Sequence, residues 1–180
     1  MAVLVEAISV VIRADAITRH YPGGWQQFRG DCPNQTLCAD GELIRVSFMT
    51  PQDIQKFVED LSQHGIEYLH DRRAVDLVVA DQQRGLAAPC DWAEFGRVDW
   101  EGDPHKQVAA CRAKDSTSNQ VVTPPGWEYD GSLSAKFHFV ETGWIPEFTD
   151  FLRHENGTDV YRDLKTGKEV YAGRTGGKSP

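Results

Sequence analysis

The stretch LIRVSFMTPQDIQKFVEDLSQHGIEYL, Leu43–Leu69, decides how this chain is read. From Glu42 to Phe48 the side chains alternate. Ile44, Val46 and Phe48 share one face, and Arg45 and Ser47 share the other. A period of two predicts a strand with one face in the core and one in water. Thr50 then stands as an N-cap, Pro51 takes the first helical position, and Asp53 follows three residues after the cap. Ile54, Phe57, Val58 and Leu61 fall at i, i+3, i+4 and i+7, one apolar helical stripe. Gly65 supplies a left-handed stop. Ile66–Leu69 resumes an extended pattern.

Upstream, Ala2–Ile12 is apolar on both faces, so it predicts one central, doubly covered strand. Asp15 is placed to cap a helix that ends before Pro22-Gly23-Gly24, and Trp25 with Phe28 predicts a further helical turn. Thr36–Ala39, Asp40-Gly41 and the strand from Glu42 carry a hairpin signal, because Asp-Gly accommodates positive φ. The order is strand, helix, two-stranded hairpin, helix, strand. That is the βαββαβ order of the ferredoxin-like fold, with the strands from Ala2 and Glu42 side by side at its centre. Either 66–70 or 74–80 supplies the last strand. An alternative parse from Glu42 reads strand, helix and three strands. That order resembles a module of the vicinal oxygen chelate fold in topology, without the His and Glu that such proteins use to hold metal on their strands.

Beyond residue 88 the pattern is β-rich. Strands are expected at Trp92–Trp100, Val108–Arg112 and Leu133–Val140. A three-stranded meander turns at Asn156-Gly157 and at Lys165-Thr166-Gly167. The expectation is therefore an α+β protein, with a ferredoxin-like half (residues 1–88) packed against an antiparallel β-rich half (residues 89–180) in one body. The β-rich half, or a second copy of the chain in a homodimer, would cover the far face of the first strand.

With 19 Lys and Arg against 27 Asp and Glu, the net charge is −8. Such a balance disfavours phosphate backbones and anionic lipid, so neither nucleic acid nor a membrane is an expected partner. The exception is Lys165–Pro180, with Lys165, Lys168, Arg174 and Lys178 against Glu169, read as a solvated tail. No run reaches a membrane span. The N-terminal stretch lacks the basic start of a signal peptide. Four cysteines are too few for a disulfide scaffold, which points to reduced thiols in a cytoplasm.

Candidate chemistry is sparse. Cys32 and Cys38 are spaced too widely for a zinc knuckle, the six histidines show no ligand spacing, and no phosphate-cradling glycine loop occurs. Hence no metal and no cofactor are expected. Cys90 has acidic neighbours that oppose a thiolate. Asp81, Gln82, Cys90, Asp91 and Trp92 would line one pocket if the loop 83–90 folds over, the site of a small enzyme or small-molecule binder. Glu94, Asp99, Glu101 and Asp103, with only Arg97 opposing them nearby, form an acidic surface. The leading expectation is a non-catalytic binding protein that offers this surface to a basic protein partner.

Overall fold

A computed structural model describes residues 1–140, 149–155, 158–164 and 167–173. The protein is mixed α+β, with several sheets and few helices. Contacts divide it into two units, Met1–Trp127 and Glu128–Pro180. In the first unit the chain runs β1 (Ala2–Val5), β2 (Ile8–Arg13), α1 (Ala14–His20), α2 (Gly24–Asp31), β3 (Cys38–Ala39), β4 (Leu43–Phe48) and α3 (Pro51–Gln63). It continues through β5 (Leu69–His70), β6 (Arg73–Ala74), β7 (Leu77–Asp81), β8 (Gly85–Leu86), β9 (Ala93–Asp99), β10 (Gln107–Ala113) and β11 (Val121–Val122).

The doubly apolar run at the N-terminus is two strands, not one. Ala7, at φ 49°, turns the chain out of one sheet and into another. Gln82 holds that turn from both sides. The Ala7 amide donates to the Gln82 Oε1 at 3.0 Å, and the Gln82 amide donates to the Ala7 carbonyl at 2.9 Å. An apolar run serving two sheets in succession has the same pattern as one strand covered on both faces, so periodicity could not separate them.

β2 is the middle of a five-stranded antiparallel sheet with the order β3-β4-β2-β7-β8. Val10 stands opposite Val46 on one side and Val79 on the other. The strands read from Ala2 and Glu42 are thus neighbours through β2 and β4. The strand on the other flank of β2 is Leu77–Asp81. Leu69–His70 instead pairs with Arg73–Ala74 in a separate ribbon, turned by Asp71 and Arg72 at φ 48° and 66°.

One face of this sheet carries the helices. Val10, Ile12, Ile44, Val46 and Phe48 pack with Ile17, Phe28, Ile54, Phe57 and Leu61. α3 begins as its sequence demands: the Asp53 amide donates to the Thr50 hydroxyl at 3.2 Å. α1 does not. Its N-cap is Arg13, with no side-chain cap, and Asp15 sits inside the first turn, where its carboxylate accepts from the Arg13 guanidinium.

The other face meets a second sheet, ordered β11-β1-β10-β9. Val3, Val5, Ala109 and Cys111 from it pack against Val11, Leu43, Val78 and Ala80. The first unit is three layers: helices, sheet, sheet. Strands β9 and β10, from the segment read as the start of the β-rich half, belong to this unit.

Covering that face buries what the alternation read as its wet side. Every residue of β4 is buried, and Arg45 is 1% exposed. Its Nε donates to the Leu4 carbonyl of β1, and its Nη1 donates to the Thr36 carbonyl at 2.7 Å. β11 pairs only with Ala2 and Val3, so from Leu4 onward it gives β1 no partner. Ser47 is satisfied alongside, its hydroxyl 2.7 Å from that of Ser9.

In the second unit a short helix, α4 (Leu133–Lys136), leads into β12 (Phe137–Val140). The alternation over Leu133–Val140 suggested strand throughout. Ser132 reverses the outcome locally, its hydroxyl accepting from the Ala135 amide at 3.2 Å as an N-terminal cap does. β13 (Thr149–Glu155), β14 (Thr158–Asp163) and β15 (Glu169–Gly173) form the expected antiparallel meander, and β12 adds to β15 in parallel. Arg153 makes a two-pronged pair with Glu169, at 2.9 and 3.0 Å. The segment Thr142–Pro146, the turn residues Asn156, Gly157, Lys165 and Thr166, and residues 174–180 lie outside the described residues.

Arg45→Met removes the donors to the buried Leu4 carbonyl and the partly buried Thr36 carbonyl while leaving the carbonyls in place. It is expected to lower the unfolding free energy by about 1–3 kcal/mol, the cost of the stranded buried acceptor at Leu4. Urea unfolding followed by circular dichroism measures this, and an unchanged midpoint would contradict it.

Candidate functional site

The five residues proposed to share a pocket stand at the two ends of β7. At its end, the Asp81 carboxylate accepts from the Gln83 and Arg84 amides at 2.8 and 3.0 Å, and so builds the tight turn into β8. Gln82 is buried on the Ala7 turn. Past β8 the chain runs back along β7, the Ala87 amide donating to the Val79 carbonyl at 2.8 Å. Cys90, Asp91 and Trp92 therefore emerge beside β6, ahead of the start of β7. There the Asp91 carboxylate is gripped by the Arg73 guanidinium, and the Trp92 indole donates to the Ala74 carbonyl at 3.2 Å. The loop 83–90 is a hairpin arm, not a lid over one crevice.

No described thiol is set up as a nucleophile. All four cysteines are free. Burial pushes the Cys32, Cys38 and Cys90 thiols up, and the Asp91 carboxylate adds to the rise at Cys90. Cys111, inside the sandwich, is pushed up to about 12 by burial. Among the described residues no group of three or more His, Cys, Asp or Glu side chains is placed to hold a metal ion. His64 packs against Tyr21 with the rings tilted by 56° and their centroids 4.6 Å apart, and His70 lies 3.4 Å from Glu67.

The acidic set is more organised. Glu94 faces Arg112 across the β9–β10 pair and binds it at 3.2 Å. Asp103 accepts from the His105 amide at 2.9 Å. The sequence shows Arg97 and Lys106 near these carboxylates. Strand pairing brings Arg112 to Glu94, and β6 brings Arg73 to Asp91, so local charge counting overstated this patch. Asp99 and Glu101 remain exposed at the end of β9, and Glu101 is held in a left-handed conformation at φ 55°.

These two carboxylates flank Trp100, and all three line a hollow of about 870 Å³ on the outer side of the second sheet. Trp100 is braced edge-on by Trp127, with centroids 4.9 Å apart, and the Trp127 indole donates to the Glu6 carboxylate at 3.0 Å. Arg97 reaches the Gln83 carbonyl at 3.2 Å, with its guanidinium carbon 5.8 Å from the centre of the Phe95 ring. Asn119 and Gln120 form the opposite wall. An exposed amide carries no signal in the sequence of what it faces.

No protein-family model, curated protein or solved structure matches this chain. Among the described residues no helix is long and apolar enough to cross a membrane.

Two outcomes follow from the thiols. Burial pushes the Cys111 thiol from its ordinary 9.0 up to about 12, so its contribution to stability is complete below pH 9 and is lost as pH rises towards 12. Unfolding midpoints measured across that range are expected to fall, less steeply in Cys111→Ala. At neutral pH iodoacetamide is expected to alkylate Cys90 in the native protein more slowly than free cysteine. Faster alkylation, read by mass spectrometry, would restore Cys90 as a nucleophile.

Proposed function

We propose that this chain is a non-catalytic binding protein of the cytoplasm, built on a ferredoxin-like βαββαβ sheet, which engages a basic protein partner through Glu94, Asp99, Glu101 and Asp103. The strand order β3-β4-β2-β7, with the helices on one face, supports the fold reading. Four free thiols suit a reducing compartment. The observation that carries the functional reading is the hollow at the end of β9, lined by the exposed Asp99 and Glu101 and by the Trp100 indole that Trp127 braces, with Asp99 accepting from the Gln107 side-chain amide at 3.1 Å. Carboxylates beside an aromatic face attract ammonium and guanidinium groups, and the overall charge of −8 steers basic surfaces toward the protein. Binding needs no proton shuttle or nucleophile.

The test separates this patch from net charge. Calorimetric titration with polylysine at low salt is expected to show binding that Asp99→Lys, Glu101→Lys and Asp103→Lys together remove. A matched triple reversal of the exposed Glu42, Glu59 and Asp60, identical in net charge, is expected to leave most of the binding. Equal losses in the two triples would reduce the effect to net charge and overturn the proposal.

A further inference from the structure

We draw no further inference here: the strongest candidate, the cleft of about 90 Å³ between α1, α2 and α3 lined by Tyr21, Asp31, Asp60 and His64, carries nothing, because Phe28, Phe57 and Leu61 beneath it already belong to the helix-side core, the Asp31 carboxylate is taken up by the Tyr21 hydroxyl and the Gln27 amide, and nothing in the structure shows what would occupy it.

Discussion

A guanidinium almost wholly shut off from water joins the two sheets of the first unit. Arg45 rises from β4 and donates to Leu4 in one sheet and to Thr36 ahead of β3 in the other. Burying a cation is costly, and burial lowers the Arg45 pKa, against the opposing pull of Cys38, Glu6 and Cys111. Arg45 stands where β1 has run past the end of β11, and it donates to a β1 carbonyl there. Two atoms, Arg45 Nη2 and the wholly buried Asp40 Oδ2, have no hydrogen-bond partner among the described residues. The polar accounting of this interior is therefore left open at these two atoms, while Ser9, Ser47 and Gln82 find partners elsewhere.

The position of the candidate site follows from that junction. β1 aligns β10, and β10 aligns β9, register by register. β9 then delivers Asp99, Trp100 and Glu101 to the end of the sheet. At the other border, Gln82 locks the Ala7 turn, which lets one run of chain serve both sheets. The hollow consequently sits where β9 ends and its turn begins, with Trp127 bracing the indole from a hydrogen bond to Glu6.

Much of the central sheet was legible in sequence because its signals are local. Thr50, Pro51 and Asp53 start α3, and Ile54, Phe57 and Leu61 bury one stripe of it. Asp40-Gly41 turns β3 into β4, with Gly41 at φ 98°. The second sheet was not legible as the partner of β1, because strand pairing across a hundred residues leaves no periodic trace. Arg45 shows the limit most directly. Alternation reports that a face is polar, and it cannot report that another sheet covers that face. The same limit applies to the candidate site. Asp99 and Glu101 were found by charge, whereas the shape of the hollow depends on Val98, Asn119 and Gln120, which have no distinctive pattern. The Asp81–Trp92 pocket was drawn from closeness in sequence, and a hairpin arm carries its two halves apart.

The most direct measurement of the central claim is the exchange of arginine Nε–H protons with solvent, followed by nitrogen-15 NMR of the native protein. The Arg45 Nε–H, held by the Leu4 carbonyl between the sheets, is expected to persist at alkaline pH after those of the exposed Arg29 and Arg72 have exchanged away. An Arg45 signal that exchanges as fast as theirs would mean that water reaches the guanidinium, and that the sheets are not joined through it.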